Sequence, residues 1–262
     1  MGFCQDFAAH ASPLTWTAER TIEPVKQDPV ARARRLADER RAVVVATQAA
    51  RKFYIDCLPL REGHPYLESH GLTMDGCFGL KVDGDGWLVV PVMLDGNVMS
   101  VQRISPDGEK RFWPGASVKA GSYAVERKGA SITVLCEGLA TGLAIFAAVR
   151  LTRVLVGFNS GNLSRVPVAR RGMVCVAADN DRGTQAKLGH NPGVEAATEA
   201  ADGLGCGVAV PVGIQGTDWA DYRAERLAWM LADRVKAREG DLRRSVDAEI
   251  EAAIMKNARL VY

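Results

Sequence analysis

Two hydrophobic patterns divide the chain. Residues 58–128 contain short runs of Val, Leu, Ile and aromatic residues separated by Gly and Asp, a pattern typical of a small antiparallel sheet. The pattern predicts strands at 87–93, 98–104 and 110–113, joined by turns at Asp95-Gly96-Asn97 and Pro106-Asp107-Gly108. From residue 130 onward, almost wholly apolar strand candidates alternate with segments of small, helix-forming residues.

This second pattern predicts an α/β unit, because strands of a parallel sheet are apolar on both faces when helices cover them. The predicted strands are 131–136, 153–157, 173–178 and 208–212, and the predicted helices are 138–150 and 193–203. The fold class is therefore α/β, with a Rossmann-like parallel-sheet domain that follows a small α+β subdomain.

Helix-forming composition flanks both sheets. One or two helices are expected over about 30–56, with Val30, Leu36, Val43 and Ala50 available for a docking face, and helical sequence returns over 220–256. The many Arg residues of 30–56 fit a solvated helix face, with phosphate contact as the alternative. Residues 15–28 have no period and are interpreted as an arm or linker. The predicted division is 1–57 (arm and helices), 58–128 (basic α+β subdomain), 129–219 (parallel-sheet domain) and 220–262 (helical segment).

Composition narrows the class of protein. With 47% hydrophobic residues, 24% charged residues and a net charge of +2 in 262 residues, the chain is neither fibrous nor disordered, and it is not a histone-like polycation. It contains no apolar stretch of about 18 residues and no leader-like start, so we expect a cytoplasmic protein. None of the six cysteines forms a CxxC pair, which predicts reduced and mostly buried thiols.

Acidic residues follow three of the predicted strands. Glu137 comes directly after the strand at 131–136, Asp179 and Asp181 follow 173–178, and Asp218 and Asp221 lie shortly after 208–212. Ligands of open α/β sheets bind outside the carboxyl ends of the strands, and clustered carboxylates suit hard cations such as Mg²⁺. Each acid alone fits a helix cap equally well. Their coincidence at one sheet edge favours a metal site, because unpaired acids would otherwise crowd together.

These acids stand in segments with a family resemblance. The segments VLCEGLATGLAIFAA, FNSGNLSRV, VCVAADNDRGTQAKLG and GTDWADYRAE resemble a Toprim domain, especially that of phage and conjugative-plasmid primases. Upstream, HPYLESHGL and VMLDGNVMSVQRISPDGEKRFWPGA look like the basic subdomain that precedes Toprim in those primases. The resemblance covers roughly 60–225 and rests on the combination of motifs.

The resemblance implies a role for each matching residue. Glu137 matches the catalytic acid, which also contacts metal, and Asp179 and Asp181 match the metal-binding pair. Asp218 belongs to the later acidic segment and is also expected at the metal. The implied cofactor is Mg²⁺ or Mn²⁺. The matching basic positions, expected to contact nucleotide or template phosphates, are Arg103, Lys110 and Arg111, for which strand-edge charges that discourage sheet pairing are the alternative.

The implied activity is that of a DNA primase, which makes short RNA primers from ribonucleoside triphosphates on single-stranded DNA. Two departures from the family pattern stand out. The cysteine spacings exclude a zinc ribbon of the ordinary CxxC…CxxC form. A second possible ligand set does not have a standard zinc spacing: Cys57, His64, His70 and Cys77. The sequence also contains no GxxxxGK[ST] motif, so we expect a separate replicative helicase as partner.

Two other functions remain open. Toprim nucleases use the same acids, because Mg²⁺ promotes phosphodiester cleavage as readily as synthesis. A non-catalytic module that binds single strands or a replication partner through Arg-rich helices is the other alternative. A topoisomerase is disfavoured, because it needs a nucleophilic tyrosine on a large further domain.

Overall fold

The computed structural model describes residues 2–4, 14–16, 28–169, 172–233 and 238–261. The chain divides into two compact units, Met1–Arg41 and Ala42–Tyr262. In the first unit, strands β1 (Gly2–Cys4) and β2 (Leu14–Trp16) pair antiparallel. The arm predicted over 15–28 lies almost entirely outside the described residues.

One helix, α1 (Pro29–Asp56), occupies the segment where the sequence predicts one or two. The predicted docking face is wrong for three of its four residues, since Val30, Leu36 and Val43 are exposed and only Ala50 is buried. The prediction of a docking face fails because charged residues are distributed around the helix. They stabilise it through local ion pairs instead of through packing. Ion pairs one turn apart, such as Arg35 with Glu39, are of this kind.

The small sheet has five strands in the order β3-β4-β5-β6-β7, all antiparallel. Asp95 and Gly96 connect β5 to β6 with positive φ angles of 48° and 75°, so the predicted turn is a two-residue hairpin turn. The strands are β3 (Leu58–Pro59), β4 (Lys81–Val82), β5 (Leu88–Leu94), β6 (Asn97–Ile104) and β7 (Lys110–Phe112), and helix α2 (Pro65–Ser69) lies between β3 and β4 in sequence.

The second sheet confirms the α/β fold class. Its path is β12-β11-β9-β10-β8, in which β9 pairs parallel with β10 and β11, and β11 pairs parallel with β12. β8 joins antiparallel to β10, and β13 joins antiparallel to the first half of β11. The strands are β8 (Tyr123–Glu126), β9 (Ile132–Cys136), β10 (Thr152–Val156), β11 (Gly172–Ala177), β12 (Gly207–Ala209) and β13 (Arg259–Val261).

Six helices accompany the parallel sheet among the residues that are described. The buried helix α3 packs against β9 and β10 and also against α7 and α8. Two of the described helices, α7 and α8, fall on the segment 220–256 for which the sequence predicts helix. The bounds are α3 (Leu139–Ala148), α4 (Ser160–Leu163), α5 (Arg182–Leu188), α6 (Pro192–Leu204), α7 (Trp219–Ala232) and α8 (Glu239–Asn257).

The sheet pairing crosses the predicted domain boundaries. β8 precedes residue 129 yet belongs to the parallel sheet, and β13 returns from the C-terminal segment to the same sheet. One apolar cluster contains buried residues of both sheets and of α8, such as Leu88, Val134 and Ile250. Ala42–Tyr262 is therefore a single packed body. Among the described helices, none is long and apolar enough to cross a membrane.

Candidate active site at the carboxyl edge of the parallel sheet

Carboxylates meet where β9, β11 and β12 end. Glu137 directly follows β9, Asp179 comes two residues after β11, and Asp218 is the N-cap of α7 beyond β12. Because these three strands run parallel, their carboxyl ends share one edge of the sheet. The structure thus brings the predicted acids to the same edge.

A neutral residue holds the Asp179-Asn180-Asp181 loop. The backbone N–H of the buried Asn180 donates to Thr217 O at 2.6 Å, and its side-chain Nδ2 donates to Pro211 O at 2.8 Å. Its Oδ1 accepts from Asn191 Nδ2 at 3.0 Å. The loop after β11 is therefore tied to the loop after β12 and to the start of α6, and neither flanking carboxylate is needed for these contacts.

Asp179 is the most perturbed of the acids. Thr141, buried in the first turn of α3, donates from Oγ1 to Asp179 Oδ1 at 3.3 Å. Burial, and after it the nearby charges of Asp218, Glu137 and Asp181, together raise the pKa of Asp179 from 3.8 to about 7. The four predicted acids therefore act on one another electrostatically.

Neighbouring groups shift the pKa of Glu137 in opposite directions. Burial and the charge of Asp181 raise its pKa, while the side chain of Lys110 and the backbone N–H of Ser160 favour its charged form. Lys110 belongs to β7, so the small sheet contributes a cation to the acidic edge of the parallel sheet. Within the described ranges, no three His, Cys, Asp or Glu side chains are grouped so that they could hold a metal ion as they stand.

Asp218 and Asp221 form a capping box at the start of α7. Asp218 Oδ1 accepts from the backbone N–H groups of Ala220 and Asp221, both at 2.8 Å. Asp221 Oδ2 in turn accepts from Thr217 N at 2.8 Å. The capping alternative considered from sequence thus holds for both residues, and for Asp218 it uses Oδ1 alone of the two carboxylate oxygens.

The three predicted cations differ in their surroundings. Arg103 Nε contacts Asp83 at 2.6 Å and its Nη2 contacts Asp85 at 3.1 Å, so two carboxylates already neutralise it. Arg111 pairs with Glu109 at 2.8 Å. Of the three, Lys110 is the one whose charge lowers the pKa of Glu137 at the acidic edge. The contact of Arg103 and Arg111 with nucleic acid stays a prediction.

An unpredicted cationic cleft of about 300 Å³ lies next to the same edge, lined by Lys119, Asn159 and Arg165 among others. The buried Asn162 joins the loop after β10 to the segment that contains Gly121, because its Nδ2 donates to Gly121 O and Gly157 O, both at 2.9 Å. The motif FNSGNLSRV contains Arg165, but single cations in loops have no periodicity that would reveal their position. Only the three-dimensional contact of two distant loops identifies the cleft.

The spacing Cys57, His64, His70, Cys77 does not form a zinc site. His64 Nδ1 accepts from Tyr66 N, and His70 Nδ1 contacts Tyr66 O at 2.7 Å, so both imidazoles cap or close the small helix α2. Cys57 and Cys77 are buried thiols. Four of the five cysteines whose side chains are described are buried, as expected from the sequence.

Comparison with known families identifies the class of domain. Residues 132–239, from β9 through α7, match the family model of the Toprim domain. Two curated relatives from Escherichia coli are both named DNA primase TraC. One is 28% identical over 191 residues, covering 69% of this chain and 13% of the relative, and the other is 32% identical over 165 residues, covering 59% and 15%. The predicted resemblance to Toprim primases is confirmed.

The chain spans only about one seventh of the length of these curated relatives. Among solved structures, it is similar to the primase fragment of the bacteriophage T7 primase-helicase protein, with a TM-score of 0.44, 19% identity and coverage of 64% of this chain and 72% of that one. It is also similar to the RNA polymerase domain of Mycobacterium tuberculosis primase DnaG, with a TM-score of 0.36, 18% identity and coverage of 90% and 79%.

Proposed function

We propose that this chain is a nucleotidyltransferase of the DNA primase type, which synthesises short RNA primers from ribonucleoside triphosphates on a single-stranded DNA template. The observation that carries the proposal is the group of mutually interacting carboxylates at the edge of a Toprim sheet whose sequence relatives are DNA primases. Negative charge builds on phosphate oxygens during phosphoryl transfer, and such a group of carboxylates can hold the divalent cations that neutralise it.

The donor set fits a hard divalent cation. Its members are all carboxylates, and oxygen ligands suit Mg²⁺ and Mn²⁺. The half-buried Asp179 faces three other acids and has one hydroxyl donor, Thr141, so a cation would remove a repulsion that the described side chains leave uncompensated. The residues proposed to hold Mg²⁺ or Mn²⁺ are Glu137, Asp179, Asp181 and Asp218.

Cations on both sides of the acids would hold the triphosphate and the template. Lys110 already acts on Glu137 from the small sheet, and Lys119 and Arg165 line the adjacent cleft. Arg103 and Arg111 lie over the ring of Trp87, with guanidinium carbons 4.8 and 5.3 Å from its centroid. In this proposal they present positive charge and an aromatic surface to the template strand.

In the proposed reaction, the 3′-oxygen of one nucleotide forms a bond to the α-phosphorus of the next, and the bond from that phosphorus to pyrophosphate breaks. A divalent ion held by Asp179, Asp181 and Asp218 would lower the pKa of the attacking hydroxyl and neutralise the leaving group. Glu137 accepts the proton of the attacking hydroxyl at its carboxylate, for which its raised pKa suits it. Lys110 keeps the triphosphate oriented beside Glu137.

The proposal includes further partners. Single-stranded DNA and ribonucleoside triphosphates are the substrates, and a separate replicative helicase supplies the template strand. These reactants coexist in the cytoplasm, which we propose as the compartment.

The experiment is a primer-synthesis assay with labelled ribonucleoside triphosphates on a cytosine-rich and on a mixed single-stranded template. We expect short template-dependent oligomers with Mg²⁺ or Mn²⁺ and none with Asp179→Ala. Glu199→Gln, which removes a charge from the exposed face of α6, is the matched control and should retain synthesis.

Two results would replace the proposal. Cleavage of the DNA without addition of nucleotides would identify a Toprim nuclease. Strand binding with steep salt dependence, but without synthesis or cleavage, would identify a non-catalytic binding module.

A further inference from the structure

A buried tyrosine hydroxyl has no partner. Tyr66 is 2% exposed, and its Oη forms no hydrogen bond with any described residue. Burying an unpaired polar group costs free energy, and Phe would fill the same space without that cost. Tyr123 provides the contrast, because it is equally buried and its hydroxyl lies 2.7 Å from Gly76 O and 2.9 Å from Phe78 O.

The surroundings of the ring fix its direction. Tyr66 belongs to α2, where its backbone N–H donates to His64 Nδ1 at 3.2 Å. The ring packs on His70 with centroids 4.6 Å apart, and Lys110 Nζ lies 5.8 Å from its centroid. The tyrosine is therefore held by the subdomain that contains α2 and by the same lysine that acts on the acidic edge.

Tyr66 belongs to the same buried apolar cluster as Ala140 in the first turn of α3 and Trp219 at the start of α7, the helices that begin beside the acids. The pKa of Tyr66 is raised first by burial and then by the charges of Asp218, Asp179 and Asp221. The backbone N–H of Ala140, in the first turn of α3, acts in the opposite direction without forming a hydrogen bond that satisfies the hydroxyl. An unused donor thus lies among groups that have only acceptors.

Asp218 has an oxygen suited to this donor. Both capping bonds of α7 go to Oδ1, so the second oxygen is the one available to the site. Carboxylates that bind metal ions are themselves usually held by hydrogen bonds from neighbouring groups, and removal of such a donor weakens metal binding by about 10–100-fold.

We propose that Tyr66 is a positioning residue of the metal site, whose hydroxyl donates a hydrogen bond to Asp218 when a divalent ion is bound and so holds this carboxylate in place. The inference rests on the proposed function, because it requires that the acidic edge binds Mg²⁺ or Mn²⁺. It adds a neutral side chain from outside the parallel sheet to a site otherwise built from carboxylates.

The test compares Tyr66→Phe with the matched control Tyr123→Phe in the full chain. The dissociation constant for Mn²⁺ is measured by electron paramagnetic resonance of the free ion, and the thermal midpoint is measured without metal. We expect Tyr66→Phe to bind Mn²⁺ about tenfold more weakly and to melt at or above the temperature of the unmodified chain. Tyr123→Phe should melt lower, because it loses the hydroxyl proton that Gly76 O and Phe78 O share as acceptors, and it should bind Mn²⁺ normally.

The outcomes separate the two proposals. Unchanged Mn²⁺ binding by Tyr66→Phe would overturn the positioning role while leaving the proposed metal site intact. A fall in the metal-free midpoint as large as that of Tyr123→Phe would show that the hydroxyl is a structural contact, which also overturns it. If the unmodified chain itself fails to bind Mn²⁺, the proposed function and this inference fall together.

Discussion

Replacing Asp179 with Asn should stabilise the metal-free protein while removing its metal binding. The pKa of Asp179 is raised from 3.8 to about 7 by burial and by its acidic neighbours. A raised pKa means that the folded state binds this proton more tightly than the unfolded chain does. The stability of the unmodified protein should therefore fall as the pH rises from about 4 to about 7 and then level off.

The size of the effect follows from the shift. About three units at 1.36 kcal/mol per unit give about 4 kcal/mol of destabilisation at pH 8, which the uncharged Asn does not suffer. Asn keeps an oxygen that can accept from Thr141. Asp179→Asn should thus be more stable than the unmodified protein at pH 8 by up to about 4 kcal/mol and nearly equal to it below pH 4.

The assay is denaturant unfolding of both proteins across pH 4–8, with and without Mn²⁺. With Mn²⁺ at about one hundred times its dissociation constant, the unmodified protein should gain about 2.7 kcal/mol, and the variant should gain almost nothing. Glu199→Gln controls for the loss of one negative charge at an exposed position. If Asp179→Asn is less stable than the unmodified protein at pH 8, or if their difference does not change with pH, the argument from crowded carboxylates is refuted.

Three further substitutions test other parts of the site. Asp218→Ala should cost about 1 kcal/mol of stability through the lost helix cap, whereas Asp218→Asn should keep the cap and lose only Mn²⁺ binding, measured by unfolding and by titration. Gly193→Ala should cost about 1–3 kcal/mol and weaken Mn²⁺ binding, because a Cβ there meets the backbone oxygen of Asp179; unchanged stability would contradict this close approach. Arg103→Ala should cost about 3 kcal/mol, because it leaves the buried Asp83 carboxylate unpaired. Equal stability of Arg103→Ala and the unmodified chain would contradict this role of the Arg103–Asp83 pair.

The parallel strands could be predicted because burial on both faces leaves a simple sequence pattern. β9 and most of β11 are buried, and both lie within one residue of the predicted bounds. β12 ends three residues early at Ala209, before Pro211, which has no N–H to donate to a sheet. The three-residue β13 is too short for a pattern, and its place in the sheet depends on a partner strand about 85 positions earlier.

The acids could be predicted because ligands of an open parallel sheet bind at the carboxyl ends of its strands. The sequence alone shows which residues follow each strand. The framework around the acids could not be predicted, because it is built from contacts distant in sequence. Asn162 links two loops about 40 residues apart, and Arg103 finds its carboxylate partner in the connection between β4 and β5. The sequence also does not reveal that the hydroxyl of Tyr66 is unpaired, because this depends on the groups that surround the folded ring.

In the Asp179-Asn180-Asp181 motif, the residue that holds the turn is different from the two residues that are proposed to bind metal. The backbone N–H and the side-chain amide of Asn180, and not the charges beside it, bind the turn to three other groups. These groups are Thr217 O, Pro211 O and the side chain of Asn191. Evolution could therefore exchange or delete either neighbouring acid without unravelling the turn, so a descendant that had lost catalysis would still present an intact, uncharged surface there. A scaffold of this kind tolerates a change of chemistry more readily than a change of its central amide.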